Sequence, residues 1–229
     1  MSERIMPRRE AATTRVGTNV SNEGSTLARR SGLAAVLGAT LTAGSVGAEL
    51  VHSVEDGSSI VNLPLFLVYV GTGGLGMALL TAAIIGLRRL HKAESAEVGR
   101  AGRLGFGLAI FGALANVAFM VVYFVGAVAT GETVEEAFLL FALGFLALLA
   151  GQVLLGFGLR RGGLLGPGWT APLAGVAAIV LAITTDADPY HDIGLFLFFG
   201  SWFALGCAVL WRYPRRQRKT ASERAVSGR

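Results

Sequence analysis

The sequence predicts an all-α membrane protein: a bundle of six transmembrane helices, arranged as three helical hairpins, with both termini in the cytoplasm. Composition is the first reason, because the 229 residues are 53% hydrophobic and only 15% charged, whereas about a quarter of a soluble domain is charged. The length and spacing of the apolar runs are the second reason, and the distribution of Lys and Arg is the third. The composition by itself disfavours a soluble globular domain.

Six apolar runs have the length expected of membrane spans, although the fifth is short. A helix rises 1.5 Å per residue, so about 20 residues cross the roughly 30 Å of bilayer hydrocarbon. The first run contains Thr40, Thr42, Ser45 and several glycines, which predicts that it packs inside the bundle. The predicted spans are 31–52, 60–87, 104–130, 136–159, 169–185 and 192–212.

All 20 Lys and Arg residues fall on one side of this arrangement. They occupy residues 1–30, the second and fourth connections, and residues 212–229, while most acidic residues fall on the other side. Basic loops stay in the cytoplasm, so the pattern predicts a multi-pass protein of the cytoplasmic (inner) membrane. The net charge of +5 therefore indicates topology and no nucleic-acid partner, and the excess of Arg over Lys is typical of a bacterial source.

The charge pattern also divides the chain into three parts. Residues 1–30 are predicted to form a disordered basic cytoplasmic tail, 31–212 the six-helix transmembrane domain, and 213–229 a second basic cytoplasmic tail. Each hairpin returns through a helix that opens with aromatic residues, such as Phe66 and Phe138. Duplication of a two-helix unit would produce this pattern, but the positive-inside rule and an aromatic interface belt also produce it and are favoured.

Two acidic clusters that contain histidine flank the predicted outer side. Glu49 and His52 end the first span at a spacing that places them on one helical face, and His191 and Asp192 precede the sixth span. If these spans are neighbours, the four side chains would suit a divalent cation such as zinc or manganese, or the two histidines a haem. Helix caps and solvated acids explain the same residues and are favoured, so the main expectation is no cofactor.

Four glycines between Gly71 and Gly76 lie in the middle of the second span. Close packing against a small-residue ridge of the first span, which includes Gly38 and Thr42, is the favoured explanation. The alternative is a locally unwound helix whose free carbonyl groups face a solute, as in transporters with broken helices.

Few polar side chains lie inside the predicted spans, and no Asp, Glu, Lys or Arg lies in the middle of one. Asn116 and Tyr123 are seven residues apart and share a face that would line a path with Gln152. Hydrogen bonds between helices are the favoured explanation, and the lack of ionisable groups argues against a proton-coupled transporter. The candidate lining of a pore or cavity is Gly73, Gly74, Asn116, Tyr123 and Gln152.

No nucleophile or phosphate-binding motif is present, so no catalytic residue is predicted and an enzyme is disfavoured. The favoured hypothesis is a structural, sensory or accessory membrane component that acts through helix contacts. The alternatives are a small-solute transporter or channel-like protein and an outer-face metal- or haem-binding protein. The expected partners are the lipid bilayer, anionic headgroups at the cytoplasmic face, and a second copy or another membrane protein.

Overall fold

The computed structural model describes the backbone of residues 8–55, 63–93, 99–130, 137–161 and 195–211. Side chains are described for residues 24–48, 64–93, 99–129, 137–157 and 195–211. These parts of the chain are helical apart from Gly99, so the all-α prediction is confirmed for them. The helices are α1 Arg8–Glu55, α2 Leu63–Ala93, α3 Arg100–Thr130, α4 Ala137–Arg161 and α5 Leu195–Trp211.

Four of these helices contain a stretch that is long and apolar enough to cross a membrane. The stretches are Gly24–Ala48, Pro64–Ala93, Arg100–Ala129 and Ala137–Phe157, and α5 is a shorter apolar helix. They correspond to predicted spans one to four and six. The fifth predicted span, 169–185, lies outside the described residues, as do the tail 213–229 and residues 1–7.

Helix α1 begins at Arg8, whereas the prediction placed a disordered tail up to residue 30 and the start of the first helix at 31. Residues 8–23 contain no proline and a single glycine, Gly17, so nothing in the backbone forces the helix to stop there. An apolar run shows which part of a helix lies in hydrocarbon. It does not show where the helix begins or ends, because a helix can continue into water.

The five helices form a closed ring. Helix α1 packs against α2, α2 against α3, and α3 against α4. Helix α5 closes the ring, because Gly206 lies against Gly32 of α1 and Ser201 is hydrogen-bonded to Gln152 of α4. Each of α1 to α4 runs antiparallel to its neighbour in sequence, as the contacts below show.

The inside of the ring is apolar, and so is much of its outside. Leu80, Ile84, Leu148 and Phe198 are at most 1% exposed and belong to one buried cluster. Large apolar side chains also point outwards on every helix; Leu139, for example, is 70% exposed. A soluble monomer rarely exposes such a continuous apolar surface, so this outer surface suits contact with lipid.

The described basic side chains lie at one end of the ring. They occupy the beginning of the span in α1, the end of α2 and the beginning of α3, and all of them are exposed. This distribution agrees with the charge separation deduced from the sequence. These side chains are Arg29, Arg30, Arg88, Arg89, Lys92, Arg100 and Arg103.

Candidate functional site

Helices α3 and α4 meet backbone to backbone along a line of small residues, which we name the α3/α4 seam. A Cβ added to Gly112 would lie 2.5 Å from the backbone nitrogen of Leu148, and one added to Gly105 would lie 2.7 Å from that of Leu155. Backbone atoms cannot rotate away, so these positions require glycine. The seam pairs Gly105 with Leu155, Ala109 with Gly151, Gly112 with Leu148, and Asn116 with Gly144.

Helices α1 and α2 meet in the same way, and the predicted packing of Gly38 and Thr42 against the glycine cluster is confirmed. A Cβ on Gly38 would lie 2.8 Å from the carbonyl oxygen of Gly76, and Gly76 itself lies against Thr42. The Ser45 hydroxyl donates a 2.9 Å hydrogen bond to the carbonyl oxygen of Tyr69 across this contact. Such a bond between helices replaces one that water would make outside the membrane.

Helix α2 is continuous through the glycine cluster, so the unwound helix required by the alternative explanation is not found there. A Cβ on Gly73 would lie 2.7 Å from the Ser45 hydroxyl and 3.0 Å from the Met120 methyl carbon. Gly74 faces Met120 as well, at 3.5 Å from its Cβ. Both candidate lining residues therefore lie where α1, α2 and α3 pack together.

Asn116 is fully buried in the α3/α4 seam. Its Nδ2 donates a 2.8 Å hydrogen bond to the carbonyl oxygen of Gly112, one turn earlier in α3. Its Oδ1 has no hydrogen-bond partner among the described residues. The side chain thus lies at the end of the backbone contact between α3 and α4, against Gly144.

Gln152 joins α4 to α5. Its Nε2 donates to the Ser201 hydroxyl, which in turn donates a 2.7 Å hydrogen bond to the carbonyl oxygen of Phe198. Gln152 Oε1 and Trp202 Nε1 are buried, and neither atom has a hydrogen-bond partner in the described part of the chain. Both residues line a cavity in which the centre of a water molecule has about 10 Å³ of space, which is enough for about one water.

Tyr123 belongs to an aromatic cluster near the start of α2, the end of α3 and the start of α4. Its ring centroid lies 5.3 Å from that of Phe119, 5.5 Å from that of Phe66 and 5.7 Å from that of Phe138. These are the distances of favourable tilted and stacked pairs. The cluster consists of Phe66, Tyr69, Phe119, Tyr123, Phe138 and Phe141.

The three polar candidates for a solute path therefore lie at three different places. Asn116 is in the α3/α4 seam, Gln152 is between α4 and α5, and Tyr123 is in the aromatic cluster. Neither the cavity beside Gln152 and Trp202 nor the groove of about 630 Å³ between α1 and α5 brings them together. Within the described residues, these side chains lie at contacts between helices.

The side chains of the candidate metal or haem ligands lie outside the described residues. Glu49 and His52 belong to α1, but their side chains lie outside the described residues, as do His191 and Asp192 entirely. Among the residues that the structure does describe, no three His, Cys, Asp or Glu side chains come together as metal ligands. The outer-face metal site stays a prediction.

Two large buried side chains, those of His91 and Trp202, were not singled out by the sequence analysis. His91 was assigned no role from the sequence, but it is fully buried near Phe106, with the ring centroids 6.5 Å apart. The spacing of Ile84, Leu87 and His91 places all three on one face of α2, which is the signal that would have predicted its burial. Trp202, 1% exposed, was treated only as part of an apolar run.

No family model, curated protein or solved structure matches this chain, so its function is inferred from its own residues. Four helices long and apolar enough to cross a membrane, with apolar outer faces, indicate a helical membrane protein. Its buried polar groups lie at helix contacts.

Proposed function

We propose that this protein is a structural or accessory component of the cytoplasmic membrane, which acts through contacts between its helices and those of a second copy or another membrane protein. The observation that carries the proposal is that three of the glycines with open space beside them, Gly44, Gly47 and Gly71, lie on the neighbouring helices α1 and α2. A Cβ added to any of the three would have no described atom within 4 Å. We name this set the open glycines.

Glycine inside a helix lowers stability by roughly 0.5–1 kcal/mol relative to alanine. In the α3/α4 seam that cost is offset, because the glycines allow two backbones to touch. The open glycines have no such compensation within the described residues. Gly47 and Gly71 lie at the same level of the α1/α2 pair, since neighbouring Ser45 contacts Gly73. Close approach of a helix from another molecule would compensate their cost.

Replacing Gly44 and Gly71 together with leucine tests the proposal. The matched control is Ala118→Leu, which adds bulk at an exposed position of α3. Two differently tagged copies, and all proteins that co-isolate with them, are quantified after gentle solubilisation of the membrane. We expect a specific association in the wild type and the control that falls at least tenfold in the glycine variant. A wild type that associates with nothing, or a glycine variant indistinguishable from the control, would refute the proposal.

The orientation with both termini in the cytoplasm is part of the same proposal. It rests on the positive-inside rule and on the exposed arginines that cluster at one end of the ring. That end also carries a groove of about 630 Å³ between α1 and α5. We propose that this groove binds the headgroup of an anionic phospholipid.

The lining of this groove changes from polar to apolar, as a lipid requires. Arg29 and Arg30 would bind the phosphate, while Leu33 and Leu210 would contact the acyl chain. Each basic residue near a membrane surface contributes about 1 kcal/mol of attraction to anionic lipid, which is about fivefold in affinity.

Retention of anionic over zwitterionic lipid by the purified protein tests this binding. Replacing Arg29 and Arg30 with glutamine should lower that preference by about 25-fold, the product of two fivefold effects. Replacing Arg100 and Arg103, which do not line the groove, should lower it much less. Equal losses in the two variants would refute a specific groove.

The solute-path hypothesis is not favoured, because its polar residues lie at separate helix contacts and the glycine cluster is packed. The metal or haem hypothesis depends on His52 and His191, whose side chains are not described. Metal analysis and an absorption spectrum of purified protein test it directly.

A further inference from the structure

Gln152, Ser201 and Trp202 form a polar group inside the ring, where α4 packs against α5. Each of the three side chains is at most 8% exposed. Gln152 Nε2 donates to the Ser201 hydroxyl, and that hydroxyl donates to the carbonyl oxygen of Phe198, three residues earlier in α5. Among the described residues, these bonds leave one acceptor, Gln152 Oε1, and one donor, Trp202 Nε1, without a partner.

The unpartnered acceptor and the unpartnered donor belong to residues that line the same cavity. A buried polar group without a hydrogen bond is costly in hydrocarbon, and most such groups are found to hold an ordered water or another partner. A donor and an acceptor on the walls of one cavity are able to share a single bound molecule. That molecule would accept a hydrogen bond from Trp202 and donate one to Gln152.

The size and lining of the cavity limit what that molecule is. The centre of a water molecule has about 10 Å³ of space, which is enough for about one water and for no larger solute. Apart from Gln152, Ser201 and Trp202, the side chains that line the cavity are apolar. These are Leu87, Phe106, Leu155 and Leu205.

The two unpartnered atoms also select the charge of the occupant. A cation would meet the positive end of the Trp202 N–H bond, and an anion would meet the carbonyl oxygen of the Gln152 amide. An apolar molecule would leave both atoms without hydrogen bonds. The occupant is therefore neutral, and it carries both a donor and an acceptor.

We propose that the cavity between Gln152, Ser201 and Trp202 binds a single ordered water molecule, which accepts from Trp202 Nε1 and donates to Gln152 Oε1. Its second proton is available to the Ser201 hydroxyl oxygen, which accepts one hydrogen bond and has room for another. Three polar partners are typical of a buried water. The water adds a second polar link between α4 and α5, beside the direct bond from Gln152 to Ser201.

Hydroxyl-radical labelling tests this site in the full-length protein in lipid nanodiscs. A short X-ray pulse splits water into hydroxyl radicals, which oxidise side chains that hold a bound water even where bulk water does not reach. Mass spectrometry of peptides locates the oxidation, and the rates are corrected for the intrinsic reactivity of each residue type. We expect Trp202 to be oxidised at least tenfold faster than Phe198, which is also buried on α5 and does not line the cavity. A rate at Trp202 no higher than at Phe198 would overturn the proposal.

A change at Gln152 tests which atoms hold the water. Gln152→Leu removes the acceptor and keeps a side chain of similar bulk, and the matched control is Val153→Leu, the next position of α4, which does not line the cavity. We expect the oxidation rate of Trp202 to fall about fivefold or more in Gln152→Leu, because the water loses its acceptor in an otherwise apolar cavity, and to keep its wild-type value in the control. An unchanged rate in Gln152→Leu would overturn the proposal.

A second measurement uses the wild-type protein, so it does not depend on the folding of a variant at Gln152. The indole nitrogens are labelled with ¹⁵N, and the signal of Trp202 is the one that Trp202→Phe removes from the spectrum. We expect the Trp202 indole proton to receive magnetisation from protons at the water frequency, with the sign of through-space contact and not of proton exchange. Absence of this transfer would overturn the proposal, because another group of the chain would then accept from Trp202.

Discussion

The sharpest test of the α3/α4 seam compares two Gly→Ala changes in the same helix. A Cβ at Gly112 would lie 2.5 Å from the Leu148 nitrogen, while one at Gly107 would meet no described atom within 4 Å. Both changes gain the same intrinsic helix preference, roughly 0.5–1 kcal/mol, so this term cancels in the difference. What remains is the cost of forcing two backbones apart, about 1–3 kcal/mol for overpacking by one methyl group.

We therefore expect Gly112→Ala to be less stable than Gly107→Ala by about 1–3 kcal/mol, roughly a 5- to 150-fold difference in the unfolding equilibrium. Reversible unfolding by SDS in mixed micelles, followed by circular dichroism of the full-length protein, measures this difference. Gly107→Ala should equal or exceed the wild type in stability. If the two variants unfold at the same SDS fraction, then α3 and α4 are not in backbone contact at Gly112, and the seam is incorrect.

Two further predictions use the same unfolding assay. Ser45→Ala removes a hydrogen bond between helices and should lower the free energy of unfolding by about 0.6 kcal/mol, up to about 1.7. Thr40→Ala removes only an exposed hydrogen bond within α1 and should change the free energy of unfolding little. Equal effects of the two changes would contradict a role for Ser45 in joining α1 to α2. Phe119→Ala removes the central ring of the aromatic cluster and should lower the free energy of unfolding by at least about 2 kcal/mol. The same change at Phe111, which is 59% exposed, should lower it by well under half of that. Similar losses in the two variants would contradict the packing of Phe119 in the aromatic cluster.

The sequence predicts the helical spans well, because apolar length is a property of each segment alone. The spans of α2, α3 and α4 begin and end within six residues of the predicted bounds. The start of α1 at Arg8 was not predictable in this way, since a polar helix outside the bilayer leaves no apolar signal. The packing of Gly38 and Thr42 was predictable, because small residues at helical spacing in a membrane span usually mark a close contact between two helices.

The grouping of polar side chains was not predictable from the sequence. Asn116 and Tyr123 do share a face of α3 by spacing, yet Asn116 lies against Gly144 of α4, whereas Tyr123 contacts Phe66 of α2 as well as Phe138 of α4. A shared face fixes the direction of two side chains, but the tilt and order of the neighbouring helices decide what each side chain meets. The pairing of Gln152 with Ser201 depends on where α5 packs against α4, and the sequence pattern of a single helix does not contain that information.

The α3/α4 seam also favours a fixed bundle over one whose helices slide past each other. Its pairs alternate in size, so that Leu148 fits against Gly112 and Leu155 against Gly105. A slip of one helical turn in either direction would place Leu148 opposite Ala109 or Asn116, which lack the space that Gly112 provides. Each such mismatch costs about 1–3 kcal/mol, and α4 carries two leucines in the seam. Alternating-access transporters move one bundle of helices against another, so the boundary between two such moving units would not lie along the α3/α4 seam.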